Sequence, residues 1–91
     1  SWKRPYDGAL SSAVDACIVT TYMMLAAQQE GIGSCWVMYF RPDEIKKEFN
    51  VPENVEPSAI LVMGYPDDDA EPLDLHFKNR PIDEVVFYEK F

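Results

Sequence analysis

The sequence predicts an α+β fold in which a buried helix packs on a small mixed sheet, and three observations carry that prediction. From Ala13 to Gln29 the apolar residues Val14, Cys17, Ile18, Tyr22, Leu25 and Ala26 recur at helical spacing, with Val19, Met23 and Met24 filling much of the opposite face. Two evenly apolar segments, Cys35 to Phe40 and Ala59 to Met63, are too short for helices and read as strands. Between them stands a short proline-led segment patterned as a helix. At 91 residues and 10.4 kDa the chain is one domain or part of one.

Each element follows from its residues. Ser1 to Leu10, with Pro5 and the pair Asp7-Gly8, reads as a loop, and Ser11 or Ser12 is placed to cap the helix. A helix apolar all round is buried on every side, and so short a chain holds little material to wrap it. This helix is therefore expected to be a core element that also packs against another chain or a further part of the protein. Glu30 and Gly31 end it, with Gly31 at the left-handed cap position. Pro42 at the first helical position starts a short helix, Asp43 to Phe49, with Asp43 and Glu44 in its first turn and Lys46 and Lys47 later, as the helix dipole prefers.

Asn50 to Pro57 is a loop. Ala-Ile-Leu-Val-Met, residues 59 to 63, is too evenly apolar to be half exposed and is expected at the centre of a sheet. Gly64 to Pro72 turns away from it. The tail from Leu73 holds H-F-K-N-R-P and then I-D-E-V-V-F-Y-E-K-F, a short turn and an extended arm. Taken alone, two strands joined through a helix suggest a parallel pair with a right-handed crossover.

Composition narrows the function. Hydrophobic residues make up 47% of the chain, which is globular in character but rich for so small a body, so part of that surface is expected to face a partner or ligand. Eight basic against 16 acidic residues give a net charge of −8, with no basic stripe interleaved with aromatics, which argues against nucleic acid. No charge-free run approaches the ~20 residues needed to span a bilayer, and no secretory leader opens the chain. Cys17 and Cys35 lie in apolar runs and form neither a metal set nor a disulfide framework, so buried, reduced thiols in a cytoplasmic protein are expected.

Candidate sites are few. Gly31 and Gly33 open onto Ser34 to Phe40, seven residues without a charge, which asks what lies so close to that backbone. A helix cap followed by a core strand is one answer, and a ligand lying along the strand is another. Lys78 and Arg80, one residue apart, point to the same side and can grip a phosphate, Arg as a planar fork and Lys as a point charge. They can equally be a solvated pair offsetting Asp67, Asp68 and Asp69. His76, the lone histidine, and Cys35, with no histidine near it in sequence, read as packing or surface residues. Asp15, Asp43, Glu44 and Asp67 to Asp69 are explained by capping, dipole and solvent, with no spaced pair for acid and base work.

In order and spacing, D-A-C-I-V-T-T-Y-M-M-L-A-A-Q-Q-E-G-I-G-S-C-W-V (15 to 37), the proline-led helix, A-I-L-V-M-G-Y-P (59 to 66) and H-F-K-N-R-P-I-D-E-V-V (76 to 86) resemble the C-terminal half of the nitroreductase family of FMN-dependent enzymes. The resemblance runs from about Trp2 to the end. It implies that residues 1–91 are a single unit, the C-terminal portion of a nitroreductase-like domain. The family's N-terminal half, with an arginine- and serine-rich motif on the FMN phosphate, is not among these residues.

The resemblance also implies a site. It places the edge of the flavin along Trp36, Val37, Met38 and Tyr39, with a main-chain amide of Met38 or Tyr39 directed at flavin N5, and a basic pair before a proline, here Lys78 and Arg80, on the FMN phosphate. It implies a mainly antiparallel sheet and a homodimer in which the arm, Val85 to Phe91, adds a strand to the second subunit, with the apolar helix near the interface. No side chain is expected to be catalytic and no metal is expected, since the flavin carries the chemistry.

The implied function is NAD(P)H-dependent reduction of nitroaromatics, quinones or similar acceptors through FMN, by alternating hydride transfers at N5. Two alternatives stand beside it. One is a truncated, non-catalytic fragment that dimerises through helix and arm, and the other a flavoenzyme of the same fold with a different reaction, such as dehalogenation. A separate chain carrying the N-terminal half would be a further partner.

Overall fold

A computed structural model of the chain describes residues 1–89. The first helix, α1, spans Ser12–Gln29, one residue longer at its start than the apolar pattern predicts. Ser11 precedes it without a side-chain cap bond; its hydroxyl instead accepts the Trp2 amide at 3.2 Å, which ties the N-terminal loop to the helix start. At the other end the expected glycine cap is present. Gly31 adopts φ +72°, its amide donates to the Gln28 carbonyl at 3.1 Å, and the Ile32 amide donates to the Ala27 carbonyl at 2.9 Å. This paired arrangement satisfies carbonyls that a helix end otherwise leaves open.

Strand β1 is Gly33–Val37 and strand β2 is Ile60–Gly64. They pair antiparallel, with Gly33 opposite Gly64 and Val37 opposite Ile60. The antiparallel pairing is what the family resemblance implies, and it replaces the parallel pair that the connection alone suggests. Between the strands the second helix, α2, runs over Pro42–Glu48, with proline in its first turn, acids at Asp43 and Glu44, and lysines at its end. β1 begins and ends earlier than predicted, because the glycine turn delivers the chain directly into the ladder and the chain leaves it before Met38.

The helix packs on the sheet through a face that the apolar pattern did not select. Ala27 is buried at 6% exposure, and Ala16, Thr20 and Met24 are partly covered, a stripe of mostly small residues at spacings of four and three. The Thr20 hydroxyl donates to the Ala16 carbonyl at 2.7 Å, which lets it sit in that stripe without an unpaired polar atom. Val14, Cys17, Ile18, Tyr22, Leu25 and Ala26, the whole predicted core stripe, are exposed, as is Val19 on the opposite face. The burial expected of this helix is thus not supplied by the described residues. Cys17, on the outward side, and Cys35 are both exposed, not buried as expected from their apolar neighbours.

β2 likewise is not central among the described residues: the sheet has two strands, and Val62 and Met63 are exposed. Two single-turn 3₁₀ helices, Asp74–His76 and Ile82–Glu84, interrupt the tail, where a short turn and an extended arm were expected. The Val86 amide donates to the Ile82 carbonyl at 2.8 Å, so the arm is folded back at its start; from Val85 to Glu89 no strand forms within the chain. The last two residues of the expected arm, Lys90 and Phe91, lie outside the described residues. The radius of gyration is 17.7 Å. A compact domain of this length has about 12 Å. An open body with a nearly bare helix needs a second surface to cover it.

Candidate functional site

The end of β1 is built by the glycine turn and the β2 ladder. Trp36 lies opposite Leu61 and Val37 opposite Ile60, and all four are partly covered. Past the ladder, Met38 is 63% and Tyr39 101% exposed. The Phe40 amide donates to the Met38 carbonyl at 3.0 Å, a tight turn that swings the chain toward α2. Among the described residues the amides of Met38 and Tyr39 donate to no group outside the ladder. Tyr39, Phe40 and Arg41 line a hollow of about 190 Å³ beside them. The first charge after this segment, Arg41, is drawn away to Glu44 on α2 at 3.3 Å. The strand end is therefore an open, uncharged surface with main-chain donors.

The glycines are explained locally. A Cβ added at Gly31 would meet nothing within 4 Å, so its positive φ is the whole reason for glycine there. At Gly33 a Cβ would stand 3.4 Å from the Gly64 carbonyl, an ordinary contact. What lies close to this backbone within the chain is its own partner strand.

Lys78 and Arg80 sit between the two 3₁₀ turns, exposed. The Arg80 guanidinium reaches the Glu84 carboxylate at 3.5 Å and the Glu84 carbonyl at 3.4 Å, long contacts that leave the fork loosely held. Neither 3₁₀ turn packs on α1, β1, α2 or β2. The two turns that flank the basic pair thus make no contact with the strands. His76 meets the Phe77 ring edge-on, centroids 5.0 Å apart, consistent with a packing role. Among the described residues no group of three His, Cys, Asp or Glu side chains is placed to hold a metal ion. Nor is any described helix long and apolar enough to cross a membrane.

Two ionic clusters were not singled out by sequence. Arg4 grips Asp7 with two guanidinium nitrogens, one at 2.7 Å, across the Gly8 turn; this raises the Arg4 pKa and lowers that of Asp7. Lys46 of α2 is only 13% exposed at its side chain, and its ammonium donates to the Glu53 carbonyl and the Glu56 carboxylate, each at 2.9 Å. The Glu56 hydrogen bond raises the Lys46 pKa. The partners stand seven and ten residues on, in the loop beyond the end of α2, where helical spacing no longer applies, so no sequence pattern announces them.

The fold has known counterparts. The nitroreductase family model matches residues 1–65. The chain belongs to the nitroreductase family. It superposes on a nitroreductase family protein of Clostridium difficile 630 with a TM-score of 0.86 and 45% identity, over 99% of this chain and 53% of that one. It is 43% identical over 83 residues to an iodotyrosine deiodinase of Thermotoga neapolitana, covering 75% of this chain and 44% of the relative. A putative NADH dehydrogenase/NAD(P)H nitroreductase of Methanothermobacter thermautotrophicus is 30% identical over 70 residues, 72% of this chain and 37% of the relative. The chain thus spans about half the length, or less, of the nitroreductase-family relatives it matches.

Proposed function

We propose that these residues form the C-terminal portion of a cytoplasmic, FMN-dependent NAD(P)H oxidoreductase that reduces nitroaromatics, quinones or similar small acceptors. The observation that carries this reading is the superposition of nearly the whole chain on a nitroreductase family protein at 45% identity. The strand end is compatible with the cofactor: a flat ring system needs apolar surroundings, no competing charge and a fixed donor at its edge, and Met38 and Tyr39 offer main-chain amides in an uncharged stretch. Trp36 and Val37 would bound the ring from the ladder, and Lys78 and Arg80 would hold the phosphate.

Bound FMN would supply the hydride acceptor, N5, through which electrons pass from NAD(P)H to the acceptor in two half-reactions. The chain's own part is positional. Met38 and Tyr39 follow directly on β1, whose ladder to β2 anchors the start of the segment that carries the donor amides. The basic tail must be carried to the strand end by contacts that the described residues do not make among themselves. A homodimer with exchanged arms would make them, and would cover the outward face of α1.

A second reading rests on the 43% identity to the iodotyrosine deiodinase of Thermotoga neapolitana: the same flavin site with reductive dehalogenation of a halogenated aromatic. One experiment addresses both. The full-length protein is purified, its visible spectrum and intact mass recorded, and the flavin reduced anaerobically with NADH or NADPH. Reoxidation by a nitroaromatic or quinone supports the first reading and reoxidation by iodotyrosine the second. A colourless protein that takes up no FMN overturns both and leaves a non-catalytic member of the fold.

A further inference from the structure

The chain leaves β1 after Val37 and returns at Ile60, directly opposite. The excursion between them, residues 38–59, carries α2, and α2 makes no packing contact with α1, β1 or β2. A long excursion with an unpacked helix would swing freely, and its first two residues are Met38 and Tyr39. Something must fix its path.

Lys46 is placed to do so from both ends of one residue. Its carbonyl accepts the Val51 amide at 2.9 Å across a left-handed turn at Asn50, φ +52°, which closes the helix end. Its ammonium, nearly covered by the loop, reaches the Glu53 carbonyl and the Glu56 carboxylate at 2.9 Å, with the Glu53 carboxylate at 3.8 Å. An ammonium has three protons to donate, and the loop wraps it with acceptors. Lys46 lines an open groove of about 740 Å³ with Pro42, Asp43, Lys47, Asn50 and Val51, between α2 and the loop that follows it. Arg41 and Lys47, the other two cations of residues 38–59, are exposed; Lys46 alone is drawn in.

We propose that Lys46 is a positioning residue: by cinching residues 51–56 onto α2 it makes the excursion a closed unit and so fixes the direction in which Met38 and Tyr39 leave β1. For catalysis this deepens the reading above and rests on it, because that direction sets where the Met38 and Tyr39 amides point. The linkage itself does not depend on a flavin.

The test uses the full-length protein, with Lys46→Met to remove the ammonium while keeping the stem, Lys46→Arg as the conservative variant, and Glu56→Gln as a milder one should Lys46→Met not fold. Amide hydrogen exchange is followed at 51–56, through the bonded amides of Val51 and Val55, and at 38–40, through the Phe40 amide that donates to the Met38 carbonyl, and FMN affinity by fluorescence titration. The proposal expects Lys46→Met, or Glu56→Gln in its place, to speed exchange in both segments and to weaken FMN binding about fivefold, with Lys46→Arg restoring most of both. Faster exchange confined to 51–56, with 38–40 unchanged, overturns it and leaves a purely local ion pair. A wild-type protein that binds no FMN removes the proposed function, and exchange at 38–40 still decides the role of Lys46.

Discussion

The amide of Ile32 donates to the carbonyl of Ala27 at 2.9 Å, across the left-handed turn at Gly31 that ends α1. Ala27 is the one buried residue of α1, so this bond joins the best-packed point of the helix to the residue that precedes β1. Gly31→Ala would add no clash, since nothing lies within 4 Å of a Cβ there. Its cost is backbone strain alone, about 1 to 2 kcal/mol, with Gly31→Asn costing less. Urea denaturation of the full-length protein reads the difference. An unchanged midpoint for the alanine variant would mean the turn is not held at positive φ.

A main-chain donor survives side-chain replacement and does not survive proline. Tyr39→Phe is therefore expected to keep FMN affinity near wild type, whereas Tyr39→Pro, which removes the amide proton, is expected to weaken it tenfold or more, about the worth of one hydrogen bond to the flavin. Met38→Pro tests the neighbouring amide in the same way. Fluorescence titration with FMN gives the affinities, and far-UV circular dichroism checks that the strands persist. Equal affinity in all three variants would move the flavin edge away from this segment.

Much of this fold is legible in the residues because its signals are local. Gly31 after an apolar run marks the helix end, Pro42 followed by Asp43 and Glu44 marks a helix start, and Ala59 to Met63 marks a strand, found at Ile60–Gly64, all within a few residues of themselves. What α1 packs against is not local. Period and hydrophobicity favour Val14, Ile18 and Leu25 as its core face, yet the small stripe of Ala16, Thr20 and Ala27 meets the sheet, since small residues permit close approach and the larger ones are left for another surface. The same limit applies to Lys46, whose partners Glu53 and Glu56 lie in the loop past the helix end, where helical periodicity gives no guide. Of the candidate site, Trp36 to Tyr39 stand at one strand end, while the turns on either side of Lys78 and Arg80 make no contact with the strands.

The basic pair has a test that separates phosphate from ring. Lys78→Gln and Arg80→Gln are each expected to weaken FMN binding by about tenfold, the scale of a lost charge-assisted hydrogen bond, and to leave riboflavin, which has no phosphate, unaffected. Arg80→Gln should show the larger effect if its planar fork is freed from Glu84 in the assembled protein. Parallel losses for FMN and riboflavin would place the pair in structure and not on phosphate.

The Arg4 and Asp7 pair predicts a pH dependence with a definite sign. The Arg4 hydrogen bond, and after it the Ala9 amide, hold the Asp7 carboxyl below its ordinary value of 3.8. A carboxyl lowered on folding adds stability that is complete above that ordinary value and fades as pH falls through the folded pKa. The stability difference between wild type and Asp7→Asn should thus be constant from about pH 8 to about pH 5 and shrink toward zero below about pH 4. The pair is exposed, so added salt should reduce the difference at every pH. Lys46, raised by Glu56, behaves oppositely: its contribution is present below 10.5 and is lost only as pH rises through its folded pKa, so it is constant across neutral pH.

The outward stripe of α1 decides whether this chain stands alone or under cover. Val14, Ile18, Val19, Tyr22 and Leu25 are each more than half exposed, and Ala13, Val14, Cys17, Ile18 and Thr21 outline a shallow apolar groove of about 350 Å³. An exposed isoleucine can be truncated with little effect, within about 0.5 kcal/mol, whereas a buried one costs about 2 to 5 kcal/mol when cut to alanine. Ile18→Ala in the full-length protein is expected in the second range, because so large an apolar surface is not left to water and the open 17.7 Å radius leaves room for a second body against it. Ala13→Ser at the rim of the groove should be nearly silent. Thermal and urea denaturation at two protein concentrations then adds a further distinction. A midpoint that rises with concentration places the cover on a second subunit, and one that does not places it on the remainder of the same chain.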